Sequence, residues 1–383
     1  MADPPRTSDY ARLFLNDVPL LDVRAPMEFR AGAFPTAENH PLLDDEDRHR
    51  IGVRYKEKGQ EAAIELGSER VSGERRNHRI KAWLAFARRH PDGVLYCFRG
   101  GLRSQISQQW LSEALGHAYP RVEGGYKAMR RFLINQLEIS AERIQPLILG
   151  GRTGTGKTRL LQRLQHKIDL EALAHHRGSA FGTRPRGQPG QIDFENALSI
   201  ALLKHRHAGN PPLVLEDESA HVGARILPAP LWKAMKAAPL AILEADPATR
   251  IGHTREEYFV DTLKEFQALQ GEERGYAAWE RYLLDSLDKI QRKLGGLRHK
   301  ALREAMQSAL RSHRRDGDAR AFDPVIRRLL EEYYDPMYDY AIERNRERIR
   351  FTGDAEAMAA WLGSLGGLAA DGKAGKLATD EHG

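Results

Sequence analysis

The stretch LILGGRTGTGKT, residues 147–158, determines the fold expected for the centre of the chain. Its apolar start predicts a buried strand, and a helical pattern follows it. Residues 151–158 match G-x-x-x-x-G-K-[ST], the P-loop pattern, in the strand–loop–helix context that this motif requires. Its glycines let backbone N–H groups surround phosphate, its lysine adds positive charge, and its threonine can reach a magnesium ion. We therefore predict a phosphate site formed by Gly151, Gly154, Gly156, Lys157 and Thr158.

Further apolar stretches extend this motif into a parallel sheet. Residues 213–215 lead directly into three acidic residues, and residues 240–243 form another strand. Strands that alternate with helices after a P-loop predict a doubly wound α/β domain, over residues 140–255. An acidic side chain at such a strand end can hold magnesium, so Glu216 or Asp217 is a candidate metal ligand. Capping of the next helix is the alternative role of these carboxylates.

A second candidate site surrounds the single cysteine, within LYCFRGGLRS at residues 95–104. Cys97 ends an apolar strand-like run, and a helix-like segment begins as the glycine-rich loop stops. Loop N–H groups, a helix N-terminus and fixed positive charge favour a thiolate and bind an anion beside it. A buried structural cysteine is the alternative. The adjacent arginines and glycines favour a catalytic Cys97, with an anion cradle formed by Arg99, Gly100, Gly101, Arg103 and Ser104.

The sequence before this loop resembles the rhodanese domain. A short strand ends in Asp-Val-Arg, and residues 32–41 follow with the pattern Gly-x-x-Pro-x-Ala-x-Asn. The resemblance covers residues 8–130 and implies a rhodanese-like α/β domain. Asp22 and Arg24 either belong to the anion cradle or form a plain ion pair at the strand end. The Cys-x5-Arg loop is one residue longer than in sulfur-transferring rhodaneses and resembles rhodanese-fold phosphatases and arsenate reductases, which implies a phosphate-like ligand.

The composition is typical of a multidomain protein with a polyanionic partner. The chain has 383 residues, a net charge of +6 and a pI near 9.3. No apolar run approaches the roughly 18 residues of a membrane span, and the N-terminus lacks an apolar signal core. We therefore expect a cytoplasmic protein without a membrane partner. The single cysteine excludes a disulfide within the chain.

The C-terminal part of the sequence is rich in basic helical segments. Residues 256–365 predict a mainly helical basic extension that closes the P-loop domain, and residues 366–383 predict a disordered tail. These helices form either an ordinary solvated face or an RNA-binding surface with interspersed tyrosines. Adjacent histidines at 175 and 176 lack further ligands of a zinc site, so we expect no structural metal. Candidate ligand or RNA contacts are Arg177, Ser179, Tyr334 and Tyr338.

Together, these motifs resemble the tRNA 2-selenouridine synthase family over most of the chain. The matching stretches are residues 22–24, 52–59, 97–104, 151–158, 176–182, 216–219 and 334–338. This family replaces sulfur by selenium in wobble 2-thiouridine of tRNA with selenophosphate, after transferring a geranyl group from geranyl diphosphate to that sulfur. The resemblance implies a transferase that is both a selenotransferase and a tRNA geranyltransferase. It also implies tRNA with 2-thiouridine at the wobble position as partner, with a selenophosphate-producing enzyme as a further candidate.

In that chemistry the P-loop would hold geranyl diphosphate, with Mg²⁺ as a candidate cofactor. Cys97 would act in the selenium step, either by holding selenium covalently or by aiding its release from selenophosphate. A rhodanese-type sulfurtransferase or phosphatase with a regulatory nucleotide-binding P-loop domain is the main alternative, and it would act without RNA. A nucleotide-dependent kinase or switch would instead hydrolyse ATP or GTP independently of Cys97. A protein that only binds RNA would form no product.

Overall fold

The computed structural model describes residues 4–365, and the expected mixed α/β fold with parallel sheets is confirmed. The tail predicted at residues 366–383 lies outside the described residues. Twelve strands occur between residues 4 and 365: β1 Arg6–Thr7, β2 Leu20–Asp22, β3 Ala37–Asn39, β4 Val94–Tyr96, β5 Arg121–Val122, β6 Pro146–Gly150, β7 Lys167–Ile168, β8 Leu213–Glu216, β9 His221–Val222, β10 Arg225–Ile226, β11 Leu240–Leu243 and β12 Ile349–Gly353.

The same part of the chain contains eighteen α-helices. They are α1 Tyr10–Leu15, α2 Pro26–Arg30, α3 Asp45–Arg70, α4 Gly73–Arg89, α5 Leu102–Leu115, α6 Gly125–Arg143, α7 Lys157–Gln162, α8 Leu170–Ala174, α9 Gln191–His207, α10 Ala229–Ala237, α11 Pro247–Arg255, α12 Asp261–Gln270, α13 Glu272–Lys289, α14 Gln291–Leu294, α15 Gly296–Asp316, α16 Asp323–Leu329, α17 Asp335–Arg344 and α18 Ala355–Ser364.

Contacts divide the chain into two compact units. Among the described residues, unit 1 comprises 4–141 and 189–204, and unit 2 comprises 142–188 and 205–365. The sequence places 189–204 in the P-loop domain, whereas the contacts assign this segment to unit 1. The physical reason is that α9 buries Ile200 and Leu203 in an apolar cluster of unit 1.

The sheet of unit 1 brings two strand ends of interest to one edge. Its strands are parallel, in the order β1-β5-β4-β2-β3. Because side chains alternate along a strand, Leu20 and Leu21 pack into separate clusters, and Cys97 shares the cluster of Leu21. Asp22 is in register with Tyr96. The carboxyl ends of β2 and β4 therefore place Asp22 and Cys97 at the same edge.

Helix α3 is interrupted within its length. Gly59 has φ of +82° and ψ of −173°, a conformation that glycine adopts without the steric cost of a side chain. Asp44 begins the helix by accepting a hydrogen bond from the backbone N–H of Asp47 at 2.8 Å. Helix α3 therefore consists of two helical arms that meet at one residue.

The sheet of unit 2 positions the P-loop. Its strands are parallel, in the order β12-β11-β6-β8-β7. Strand β6 lies at the centre of this sheet, and residues 151–156 follow its carboxyl end. Ligands of open parallel sheets bind at this end, where neighbouring strands connect in opposite directions.

The helices after β11 form an apolar cluster of their own within unit 2. Trp279 and Phe322 are fully buried in this cluster. Two π-helical turns, Glu256–Val260 and Leu330–Tyr334, interrupt its helices. Such turns re-aim the side chains that they carry. Between residues 4 and 365 no helix combines the length and apolar character that a membrane crossing requires.

Candidate functional site

The thiol of Cys97 lies against the loop that follows β4. The side chain is 3% exposed, and its Sγ donates to Ser104 Oγ at 3.2 Å. Ser104 Oγ in turn donates to the carbonyl of Gly101 at 2.9 Å. The structure therefore brings together three of the residues predicted for the cysteine site and gives the thiol a hydroxyl neighbour.

Backbone geometry prepares this loop for an anion. Gly100 has φ of +68°, and a Cβ there would lie 2.7 Å from the backbone nitrogen of Gly124. Arg121 holds the carbonyl of Gly100 with a hydrogen bond of 2.7 Å. Helix α5 then begins at Leu102 without a side-chain cap on Gly101. The first N–H groups of α5 therefore lack intrahelical acceptors and are suited to bind an anion.

The two arginines of the loop have different surroundings. Arg99 is exposed, with its guanidinium 6.0 Å from the centre of the Phe98 ring. Arg103 instead donates to both carboxylate oxygens of Glu28, at 2.6 and 3.1 Å. Burial alone would raise the pKa of Glu28, but the hydrogen bonds and charge of Arg103 outweigh it and lower that pKa. The positive charge of Arg103 at the loop is therefore already paired with the carboxylate of Glu28.

Sequence reasoning missed Glu28, which lies in the first turn of α2 and also accepts from the N–H of Ala25 at 3.1 Å. The local signal was an acidic residue three positions into a helix that begins with proline. That signal predicts a helix cap, but not a partner 75 positions away in the chain.

Asp22 and Arg24 form the buried ion pair that was one of the two predicted roles. Both are at most 1% exposed, and Arg24 Nη2 donates to Asp22 at 2.6 Å. Arg24 also donates to the carbonyl of Gly32 at 2.8 Å, and the Tyr96 hydroxyl donates to Asp22 at 2.6 Å. Burial and the charge of Asp22 raise the pKa of Tyr96 well above its ordinary value. This network fixes the strand end and leaves neither charge exposed for a ligand.

A glycine doublet supports the cysteine loop from the other side. Gly125 has φ of +59°, and a Cβ there would lie 2.2 Å from the carbonyl oxygen of Cys97. The N–H of Tyr126 donates to that same carbonyl at 2.9 Å. Sequence reasoning treats residues 123–125 as a break before a helix. Two adjacent glycines after a strand were the available signal for such a close backbone approach.

In unit 2, the P-loop glycines are required by the backbone. Gly151, Gly154 and Gly156 have φ of +142°, +81° and +87°. A Cβ at Gly151 would lie 2.4 Å from the carbonyl oxygen of Leu243, and one at Gly154 would lie 2.5 Å from that of Arg250. Any larger residue would therefore be strained at all three positions and would also clash at Gly151 and Gly154.

The two polar residues of the P-loop make defined contacts. Lys157 Nζ donates to the carbonyls of Gly151 and Arg152, at 2.7 and 3.1 Å. The Thr158 hydroxyl donates to Glu216 Oε1 at 3.2 Å. Of the two predicted metal ligands, Glu216 therefore reaches the P-loop, whereas Asp217 lies 3.7 Å from the ammonium of Lys236.

The surroundings of Glu216 fit a divalent cation. The side chain is 2% exposed, and its Oε2 has no hydrogen-bond partner among the described residues. Within residues 4–365, no group of three or more His, Cys, Asp or Glu side chains is arranged to bind a metal. Mg²⁺ commonly uses only one or two protein ligands together with substrate phosphates and water. Thr158 and Glu216 therefore fit such an ion without a closed protein cage.

Burial and neighbouring acidic side chains raise the pKa values of two glutamates at the end of β8. Burial, followed by the charges of Glu171 and Asp169, raises the pKa of Glu216 to about 8. Burial and the same Glu171 raise the pKa of Glu218 well above its ordinary value. Glu171 accepts a hydrogen bond from the N–H of Gly178. Sequence reasoning missed Glu171, because nothing near it in the sequence connects it with β8.

These groups line one cavity of about 830 Å³, a volume typical of ligand sites. Of the predicted residues, those that line it are Gly154, Gly156, Lys157, Thr158, Arg177, Ser179, Glu216, Asp217 and Tyr338. The ammonium of Lys157 lies 5.5 Å from the centre of the Tyr338 ring. Arg177 lies 3.5 Å from the carboxylate of Glu265. The cavity therefore combines phosphate-binding groups with a mixed wall of charges and tyrosines.

Tyr334 does not line this cavity but a neighbouring one, together with Ser179 and Tyr338, so its role as a ligand or RNA contact stays a prediction. Its side chain is 6% exposed and belongs to the apolar helical cluster, and burial raises its pKa. The physical reason is that the π-helical turn Leu330–Tyr334 directs the ring into the core. The next residue, Asp335, instead pairs with Arg250 at 3.0 Å, and Arg250 donates to the P-loop carbonyl of Thr153 at 2.9 Å.

Comparison with known proteins gives a consistent result. The family model described as the tRNA 2-selenouridine synthase AAA domain matches residues 144–366. A tRNA 2-selenouridine synthase of Marinobacter nauticus is 50% identical over 364 residues, which cover 95% of this chain and 99% of that protein. The enzyme of the same name from Hahella chejuensis is 52% identical and covers 93% of this chain and 94% of its own. That from Bordetella bronchiseptica is 50% identical, with 93% and 97% covered. The predicted family is thus confirmed, and this chain belongs to the tRNA 2-selenouridine synthase family.

Proposed function

We propose that this protein replaces sulfur by selenium in wobble 2-thiouridine of tRNA, with selenophosphate as donor and an S-geranylated base as intermediate. One observation supports this function most directly. A single chain of this family carries a thiol beside a loop suited to bind an anion and, in its other unit, a P-loop that opens into a cavity of about 830 Å³. These are the two anion sites that a phosphorus–selenium donor and an alkyl diphosphate require.

The P-loop unit carries out the alkylation in this proposal. The sulfur of 2-thiouridine attacks C1 of geranyl diphosphate, the C1–O bond breaks, diphosphate leaves with the electron pair, and the N3 proton of the base passes to water. Backbone N–H groups of residues 151–158 bind the leaving diphosphate, and Lys157 exchanges its loop carbonyls for phosphate oxygens. A magnesium ion held by Thr158 and Glu216 would supply further neutralisation of the leaving charge.

The cysteine unit carries out the selenium step. Alkylation turns the base sulfur into a thioether, which leaves more readily than a thiocarbonyl sulfur. The loop after Cys97 binds the phosphoryl group of selenophosphate through its N–H groups, and the P–Se bond breaks with transfer of the phosphoryl group to water. The selenium nucleophile adds to C2 of the base, and the C2–S bond breaks to release geranyl thiol. Cys97 assists the release of selenium from selenophosphate beside Ser104, because selenium released at the selenide level could bond to the thiol sulfur only with a two-electron oxidant.

The test uses the full-length protein with 2-thiouridine tRNA, geranyl diphosphate and selenophosphate, followed by mass analysis of the nucleosides. We expect Lys157→Ala to block geranylation. We expect Cys97→Ala to allow geranylation but to block entry of selenium. Lys167→Ala is the matched control, because Lys167 also donates to two backbone carbonyls, at 2.6 and 2.8 Å, but does not line the cavity.

Three outcomes would contradict this division of tasks. Loss of the same first step in both variants would show that the two units do not act in sequence. Turnover of thiosulfate or a phosphoester without RNA would favour a sulfurtransferase or phosphatase. Hydrolysis of ATP or GTP that depends on Lys157 but not on Cys97 would favour a nucleotide-dependent switch. Mass analysis of the Cys97 peptide after exposure to selenophosphate tests the assisting role of the thiol, and a selenium adduct on that peptide would contradict it.

A further inference from the structure

We propose that an apolar cavity beside the cysteine loop binds the geranyl chain of the alkylated base during the selenium step. This inference rests on the proposed function and adds to it a binding site for the alkyl group in unit 1. The cavity has a volume of about 350 Å³, within the range of small-molecule sites. It lies between α3 and the start of α5, lined by Ile51, Ala63, Ile64, Leu102, Ile106 and Trp110.

The cavity adjoins the residues that directly follow the anion-binding loop. Leu102 and Arg103, the first two residues of α5, line it. Leu42 and Val71, two further lining residues, pack in the same apolar cluster as Cys97. A base held at this loop for exchange at C2 would carry its alkyl chain on the atom being replaced. The alkyl chain therefore extends away from C2 of the base, and this cavity is the apolar surface next to the loop.

The walls of the cavity expose apolar groups that have no partner to cover them among the described residues. Tyr55, Ile64 and Leu102 are 56%, 37% and 41% exposed, and all three line the cavity. Apolar side chains that stay exposed together in one concave site are typical of binding surfaces. The arginine at the edge has its charge matched by Glu28, so it does not impose a charged ligand on the cavity. An uncharged hydrocarbon chain attached to a base at the loop fits the exposed apolar walls and the paired charge of Arg103 at the edge.

Two glycines of α3 provide a matched pair of variants. Gly67 lines the cavity, and a Cβ there would meet only Ile51 Cδ1 at 3.6 Å, an ordinary contact. Gly52 is exposed on the same helix, and a Cβ there would have nothing within 4 Å. Neither has a positive φ, so both accept a side chain. Gly67→Phe fills the cavity, whereas Gly52→Phe adds the same ring to solvent. Ile64→Gln makes one wall polar without adding bulk.

The experiment measures binding of two anticodon stem-loops by the full-length protein without a selenium donor. One stem-loop carries S-geranyl-2-thiouridine and the other S-methyl-2-thiouridine. We expect the unchanged protein and Gly52→Phe to bind the geranylated RNA at least about tenfold more tightly. We expect Gly67→Phe to lose this preference and Ile64→Gln to reduce it, with binding of the methylated RNA unchanged. Circular dichroism checks that each variant is folded.

Each result either supports or overturns the assignment. Equal affinity of the unchanged protein for both RNAs overturns it, and so does a geranyl preference that survives in Gly67→Phe. If the preference survives in Gly67→Phe, the geranyl chain binds elsewhere, and the cavity binds another ligand or a protein partner. Selenium incorporation is measured in parallel. If no 2-selenouridine forms but the preference is lost only in Gly67→Phe, the proposed function fails and the cavity assignment stands.

Discussion

Replacement of Glu216 by Gln should make unit 2 less sensitive to pH. The carboxyl group is 2% exposed, and its pKa is raised from an ordinary 4.5 to about 8. Between these values the folded protein keeps a proton that the unfolded chain releases. The stability that this proton provides is complete below pH 4.5 and is lost as the pH rises through about 8. Wild-type protein should therefore lose about 2 kcal/mol of unfolding free energy between pH 6 and 8.

Glu216→Gln cannot ionise, so it should lack the part of the loss that Glu216 causes and keep only the part due to neighbouring acids such as Glu218. Its stability relative to wild type should rise by about 2 kcal/mol between pH 6 and 8. Because the chain has two units, a single denaturation curve would mix two transitions. Hydrogen exchange of peptides that cover β8, measured at increasing urea and compared at equal pH, reports on unit 2 alone. Asp217→Asn is the control, because Asp217 is adjacent but 33% exposed and should leave the slope unchanged.

Ligands should remove the same pH dependence in wild-type protein. A cation beside Glu216 favours the ionised carboxylate, so Mg²⁺ with pyrophosphate should flatten the profile between pH 6 and 8. Removal of Mg²⁺ with a chelator should restore it. A wild-type stability that is constant or rises over this interval would refute the reasoning, as would an equal slope in Glu216→Gln.

Two further predictions concern the cysteine unit. Asp22→Asn leaves the buried guanidinium of Arg24 without its counter-charge and should cost unit 1 about 3–5 kcal/mol of unfolding free energy, measured by hydrogen exchange of peptides that cover β2 at increasing urea. Addition of Arg24→Met should recover most of the loss, and equal stability of the single variant and wild type would contradict this. Gly125→Ala places a Cβ 2.2 Å from the carbonyl oxygen of Cys97, so selenium incorporation should fall while geranylation continues. Gly116→Ala is its control, since Gly116 has φ of +76° but open space around it, and an equal loss in both variants would argue against loop displacement.

The sequence was sufficient to predict what depends on short stretches of chain. The P-loop is one such element, because a strand, a glycine-rich turn and a helix are contiguous and each has its own pattern. The fold class and the convergence of Lys157, Thr158 and Glu216 followed from parallel strands that end at one edge. The sequence also placed Cys97 at a strand end beside Ser104.

Contacts between distant positions could not be predicted in this way. Glu28 meets Arg103 only because α2 and α5 both start at the same sheet edge. The carboxylate of Glu171 lines the P-loop cavity because the short helix α8 carries it there, and the sequence of α8 contains no motif. Tyr334 is buried although its neighbours form a motif, because a π-helical turn changes which side chains face the core. A single sequence does not show which residues far apart in the chain come into contact.

The break at Gly59 affects how the apolar cavity can respond to its contents. Ile51 and Tyr55 line the cavity from the arm before the break, and Ala63 and Ile64 line it from the arm after. A continuous helix would hold these two groups at a fixed separation along a single axis. Two arms that meet at one glycine can change their mutual angle through the two dihedral angles of that residue. The width of the site therefore depends on the two backbone dihedral angles of Gly59.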